Sequence, residues 1–123
     1  IISPSLIASL AFGKITHWHK NDVIIQKGAL DDDMYIILSG EVEVIGDKRE
    51  TLAFLARGDV IGEVSCLKNV PRTATVLAHS DEVFAICLQK KEAQLVFNFF
   101  PSFYGTVYKK VKRIEASLAG VSL

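Results

Sequence analysis

Two side chains of opposite charge, Glu63 and Arg72, stand nine positions apart in the run Ile61-Gly62-Glu63-Val64-Ser65-Cys66-Leu67-Lys68-Asn69-Val70-Pro71-Arg72-Thr73-Ala74-Thr75-Val76. Gly62 lets the backbone come close to a bound group. Glu63 opens a short helix, Val64 to Leu67, whose first free N–H groups can hold an anion. Arg72 follows a proline and is expected to start a β-branched strand. Its guanidinium fork suits a phosphate. A carboxylate that accepts from hydroxyls, beside an arginine and a helix N-terminus that bind phosphate, describes a site for a sugar phosphate.

Such a site needs a rigid frame, and the chain has the punctuation of one. Strand-like segments recur every eight to twelve residues, the spacing of an all-β sandwich or barrel. They fall at Ile15–Trp18, Val23–Gln26, Met34–Leu38, Glu41–Ile45, Thr51–Leu55, Val60–Ile61, Thr73–Ala78 and Val83–Leu88. Lys27-Gly28, Ser39-Gly40, Gly46-Asp47 and Arg57-Gly58-Asp59 supply turns between them. Glu41-Val42-Glu43-Val44 alternates, as a half-exposed strand does. Met34-Tyr35-Ile36-Ile37-Leu38 is apolar throughout and should be covered on both faces. A helix over Leu6–Phe12, capped by Ser3 or Ser5 and ended by Gly13, precedes the strands.

After Leu88 the period changes. Gln89 to Phe100 reads as a helix with Ala93, Val96, Phe97 and Phe100 on one face, and Pro101 starts another. Tyr104, Val107, Val111, Ile114 and Leu118 then recur every three or four residues, opposite Lys109, Lys110, Lys112 and Arg113. Gly120 is the expected stop. The expected fold is α+β: an antiparallel β-roll, jelly-roll-like, flanked by an N-terminal helix and two C-terminal helices. We read one domain over 1–123, with a helix at 1–13, the β-roll at 14–88 and two helices at 89–120.

Composition narrows the classes. The chain has 123 residues, enough for one core, and half are hydrophobic. Its formal charge is zero, which disfavours a nucleic-acid or anionic-membrane binder. No apolar run reaches the ~20 residues of a membrane span. No signal peptide is visible, and the first residue is not Met, so an excised part of a longer protein is expected. Cys66 and Cys87 lie in apolar surroundings and are expected to be free thiols in a reducing compartment.

The Gly62-Glu63 to Arg72-Thr73-Ala74 segment resembles the phosphate-binding cassette of cyclic nucleotide-binding domains. That family includes bacterial catabolite activators, cyclic-nucleotide-dependent kinases and cyclic-nucleotide-gated channels. The frame upstream is similar too: Ile24-Ile25-Gln26-Lys27-Gly28-Ala29, the acidic loop Leu30 to Asp33, Met34 to Gly40, and Arg57-Gly58-Asp59-Val60-Ile61. The likeness runs from about Val23 to Leu88, with the cassette at 61–74. It implies that Glu63 takes the ribose 2′-hydroxyl and Arg72 pairs with the cyclic phosphate. Gly62, Val64 and Ser65 would surround that phosphate, with Ala74 beside it. Thr73 would contact the phosphate or a guanine amino group. Val60, Ile61, Val76 and Leu77 would supply apolar walls, and Ile114 and Leu118 would close over the base as a lid. The implied protein is a regulatory module, not an enzyme. It would need no cofactor and pass closure of its last helix to an attached effector such as a channel; cyclic AMP is expected over cyclic GMP because no strand residue besides Thr73 looks dedicated to guanine. The implied setting is the cytosol, or the cytosolic side of a membrane protein, with assembly through the full-length protein.

Two positions depart from the family pattern. Asp31 stands where a small residue is usual, and Cys66 lies in the cassette helix; both are read as packing variants that touch neither Glu63 nor Arg72. Other patterns are weaker. His17-Trp18-His19 resembles half of the cupin metal motif, but no glutamate follows nearby and His79 sits in a turn, so no metal is expected. Asp31-Asp32-Asp33 lacks the glycine and distal glutamate of a calcium loop and reads as solvated. Ser65 has no nucleophile-elbow context. The rival readings are a pseudo-binding domain whose pocket is unused and, less favoured, a cupin-type metalloenzyme. A helix-turn-helix would have to follow Leu118 for this piece to bind DNA.

Overall fold

A computed structural model describes residues 4–118, with side chains described up to residue 109. The chain runs α1 (Pro4–Phe12), β1 (Lys14–His19), β2 (Val23–Ile25), β3 (Met34–Ser39), β4 (Val42–Ile45), β5 (Thr51–Leu55) and β6 (Val60–Ile61). It continues with α2 (Glu63–Lys68), β7 (Thr75–Ala78), β8 (Glu82–Leu88), α3 (Lys90–Phe99) and α4 (Pro101–Leu118). Two four-stranded sheets form, in the orders β1-β8-β3-β6 and β2-β7-β4-β5. Their strand pairs are antiparallel. This is the α+β architecture expected, a β-roll with helices set to one side.

The apolar run in β3 explains the layering. Successive strand residues point to opposite faces. Tyr35 and Ile37 turn inward, where they meet Ile25, Val42, Val76 and Ala78 of the second sheet. Met34 and Ile36 turn outward into a second core with Ile86, Leu88, Ala93, Val96, Phe97 and Val107. The first sheet is therefore sandwiched between the second sheet and the helices.

Helix ends follow local chemistry. Gln89 and Glu92 form a reciprocal capping box that starts α3. Phe100 ends it, and Pro101 begins α4, where a missing N–H costs nothing. Gly13, after α1, donates to the Ser9 carbonyl at 2.8 Å.

Most boundaries differ from expectation by a residue or two. Two starts move by two residues: α1 begins at Pro4 and not at Leu6, and β7 at Thr75 and not at Thr73. Arg72 instead bonds the Gly28-Ala29 turn through its backbone: its N–H donates to Ala29 and its carbonyl accepts from Gly28, each at 2.8 Å. That holds 72–74 outside the ladder, beside the cavity. β4 begins at Val42, because the Glu41 N–H goes to Ser80 Oγ at 2.8 Å. No helix among the described residues is long and apolar enough to cross a membrane.

Ile86 is wholly buried in the second core, whereas Leu52 on β5 is 60% exposed. Ile86→Ala should cost about 2–5 kcal/mol in urea unfolding, from lost burial plus the cavity left behind. Leu52→Ala should stay within about 0.5 kcal/mol of the parent. Equal losses at the two positions would refute this layering.

Candidate functional site

The site begins at Gly62. Its φ of 80° is left-handed, and it caps the N-terminus of α2. A Cβ there would lie 2.6 Å from the Asp33 carbonyl oxygen and 2.7 Å from Arg72 Nη1. Both the backbone turn and the close approach of the guanidinium require glycine at this position. The turn starts α2 at Glu63, one residue before the expected Val64, and buries Glu63, Val64, Ser65 and Cys66.

Arg72 reaches into the same place. Its side chain is 1% exposed, so its charge must be met by neighbouring groups. Nη1 donates to the Gly62 carbonyl at 3.1 Å and to Ser65 Oγ at 2.7 Å. Nη2 donates to Asp31 Oδ2 and to the Asp33 carbonyl, both at 2.8 Å. Nε is buried and has no hydrogen-bond partner among the described residues. Thus one N–H of the guanidinium has no acceptor among the described residues.

Asp31 corrects the sequence reading. It is not a packing variant remote from Arg72 but its ion-pair partner, and the acidic loop is not merely solvated. The β2–β3 connection is drawn over the cassette by the two Arg72 Nη2 bonds. The hydrogen bond from Arg72, opposed in part by desolvation, holds the Asp31 carboxyl below its ordinary value of 3.8. Asp33 adds a second anchor, accepting from the Cys87 thiol at 3.6 Å. Burial, and then the Asp33 charge, push Cys87 up to about 11. Cys66 lies in the second core, and burial raises its thiol to about 11. Both cysteines are free.

One cavity collects the expected residues. Val60, Ile61, Gly62, Glu63, Val64, Ser65, Arg72, Thr73, Ala74 and Val76 all line it. Its volume is about 450 Å³, solvent space at the mouth included. Leu77 does not join them. Strand alternation turns it to the opposite face from Val76, where it lines a separate groove with Asn21 and Val23. The reading from sequence missed Ile25, Val44 and Leu55 in the wall. Val44 lies directly opposite Val76 in the β4–β7 register, a pairing visible only once the strands are aligned.

The proposed lid residues Ile114 and Leu118 fall within α4, but their side chains lie outside the described residues. The first half of α4 is described, and it meets the cassette helix. Lys68 of α2 lies over the Tyr108 ring at 5.9 Å, and Tyr104 meets Phe97 of α3 edge-on at 5.3 Å. Val107 is buried in the second core beside Cys66.

The histidines separate. His79 faces Glu41 at 3.7 Å, while His17 and His19 stand beside Glu82 on β8. Glu82 is far from them in sequence, so no local motif announces the grouping.

Comparison with known proteins agrees with this geometry. A profile described as "Cyclic nucleotide-binding domain" matches residues 15–97. The human cyclic nucleotide-gated channel beta-1 is 35% identical over 102 residues, covering 79% of this chain and 8% of the channel. The cAMP-dependent protein kinase regulatory subunit of Debaryomyces hansenii is 41% identical over 61 residues, covering 50% of this chain and 14% of that protein. Among solved structures, a regulatory subunit of a cAMP-independent protein kinase A from Trypanosoma brucei superposes with a TM-score of 0.68 at 22% identity, covering 76% of this chain and 34% of that one. The chain therefore spans a small part of the length of these relatives. With more than half of its residues matched and the cassette geometry in place, the chain belongs to the cyclic nucleotide-binding domain family.

Proposed function

We propose that this domain binds a cyclic nucleotide, cyclic AMP in preference to cyclic GMP, and transmits the event through α4 to an effector. The observation that carries the reading is Arg72: a buried guanidinium with one unpartnered N–H, in a cavity that Glu63 also lines. A cyclic phosphate bears a single negative charge. Arg72 would meet it from one side and the backbone N–H groups at the start of α2 from the other. Glu63 would accept from the ribose 2′-hydroxyl, and Ile25, Val44, Leu55, Val60 and Val76 would cover the sugar and base. Thr73 can accept from a guanine amine but does not exclude adenine, and no other lining residue is dedicated to guanine. The relatives' names support effectors of two kinds, a gated channel and a protein kinase. The module would work on the cytosolic side in either case.

Transmission would start at α2. Movement of α2 toward the phosphate carries Lys68 and the second core, both of which touch the first half of α4. The ligand shifts the helix only to the extent that it binds the closed arrangement better than the open one.

A second reading has one observation in its favour. Asp31 already neutralises Arg72 from within the chain, as a pocket filled by its own residues would. Titration calorimetry with both nucleotides separates the two readings: the pseudo-binding domain gives no heat with either. On the main reading, Arg72→Ala should weaken cyclic AMP binding by about 2–5 kcal/mol, the range for removing one partner of a buried charge pair. Glu63→Ala should cost less, about 1.5–3 kcal/mol. Near-normal affinity in a folded Arg72→Ala variant would rule out the phosphate assignment. Affinity for cyclic GMP about tenfold above that for cyclic AMP, 1.4 kcal/mol, would reverse the preference.

Asp31 gives an independent test. Its lowered pKa means that its contribution to stability is full above 3.8 and is lost as pH falls through the folded value. The stability gap between wild type and Asp31→Asn should therefore be constant near neutrality and close only in acid. At pH 7, saturating cyclic AMP should raise the melting temperature of Asp31→Asn more than that of wild type. In the variant the nucleotide no longer competes with the Asp31 carboxylate for Arg72. A smaller rise in the variant would mean that Asp31 assists the phosphate and does not compete with it.

Hydrogen exchange tests the output. Saturating nucleotide should protect amides from about Lys110 to Leu118. Unchanged exchange there would remove α4 from the role of lid.

A further inference from the structure

The outer face of the β1–β8 ladder carries a cluster that the nucleotide site does not use. In β1, Trp18 turns into the core between the sheets. Alternation therefore sends His17 and His19 to the outer face together. β8 pairs with β1 so that His19 lies opposite Glu82 and His17 opposite Phe84. Glu82 and Phe84 share that outer face. The three residues His17, His19 and Glu82 are exposed, and one ligand atom from each lies within 4.8 Å of the others.

The geometry is close to that of a bound ion. Bonds of about 2.0–2.1 Å at tetrahedral angles put two ligand atoms about 3.4 Å apart. His17 Nε2 and Glu82 Oε1 are 3.3 Å apart. The His17 ring lies flat on Phe84, with centroids 4.2 Å apart and 3° between planes, which fixes its orientation. The His19 ring meets it edgewise at 4.7 Å. The backbone beneath is also held: the His19 N–H donates to Asp22 Oδ2 at 2.8 Å, and the Lys20 N–H donates to the Asp81 carbonyl at 3.1 Å. An ion pair accounts for His17 with Glu82. It does not account for a second imidazole brought to the same carboxylate from across the ladder.

We propose that His17, His19 and Glu82 form a binding site for a divalent transition-metal ion that pins edge strand β1 to β8. Two imidazoles and one carboxylate suit zinc and its neighbours in the first transition row, and not magnesium or calcium, which take oxygen ligands. The remaining coordination positions face solvent. The site is separate from the Arg72 cavity, with which it shares no lining residue.

Zinc chloride titrated into the metal-free chain should bind one ion per chain and raise the melting temperature, because an ion held only by the folded ladder stabilises it. His17→Gln, His19→Gln and Glu82→Gln should each weaken zinc binding about tenfold or more, at least the loss seen when a partner behind a metal ligand is removed. His79→Gln and Cys87→Ser should bind zinc as the parent does, and magnesium should give no shift. Because the three ligands are exposed, their variants should melt with the parent when no metal is added, so a lost zinc response reports the site and not the fold. Absence of zinc binding to the parent, full binding in the His17→Gln/His19→Gln double variant, or loss of binding in Cys87→Ser would each overturn the proposal.

Discussion

The burial of the Arg72 guanidinium is the constraint on which the site depends. A cation with a side chain 1% exposed must recover by hydrogen bonding what it loses in hydration. Four bonds do this, and they come from three separate segments: the Gly62 turn, the start of α2, and the acidic β2–β3 connection. Each segment is shaped by that demand. Gly62 lacks a Cβ where the guanidinium passes, and Ser65 turns its hydroxyl inward. The Asp33 carbonyl and Asp31 carboxylate close the other side. A packed β-roll has no need of such a charge; apolar residues of similar volume would hold the sheets together at least as well. Sheet packing alone therefore does not account for it.

The same constraint links the cavity to the helices. α2 is only six residues long, and its residues face two ways. Glu63, Val64 and Ser65 line the cavity, while Cys66 joins the second core with Ala93, Val96, Phe97 and Val107. Lys68 then extends over Tyr108. α2 therefore touches both the cavity and the first half of α4.

The order of elements and the membership of the cavity were legible in the sequence because they rest on local signals. Glycine punctuation marked the turns, alternation marked the strands, and Gly62-Glu63 with Arg72-Thr73-Ala74 marked the cassette. What escaped was everything that depends on register or on long separation. Val44 enters the wall only through its pairing with Val76, and Leu77 leaves it because the alternation of β7 decides which neighbour faces inward. Glu82 joins His17 and His19 only when β8 is laid beside β1. Asp31 reaches Arg72 across 41 positions, and its neighbours Asp32 and Asp33 disguised it as part of a solvated acidic run. The strand start at Thr75 was missed for a similar reason: β-branched residues continue back to Thr73, but the backbone of Arg72 is already committed to the Gly28-Ala29 turn.

A shared β-roll does not by itself specify a ligand. The Trypanosoma brucei neighbour shares the fold, and a fold carries function only through the groups set on it. Here the polar side chains lining the cavity are Glu63, Ser65, Arg72 and Thr73, in a wall that is otherwise apolar. Apolar surface can favour any base of suitable size and discriminates weakly among them. A buried guanidinium discriminates strongly, because a neutral nucleoside offers it nothing in exchange for what entry displaces. Asp31 opposes that distinction in part, because it already pairs with Nη2 at 2.8 Å. Its carboxylate sets the level of compensation that an incoming anion must match, so a ligand with a well-placed phosphate can compete for the fork while an uncharged one cannot. The contact that makes the cavity resemble a self-filled pocket sets the cost of anion entry, while the guanidinium carries the discrimination for charge.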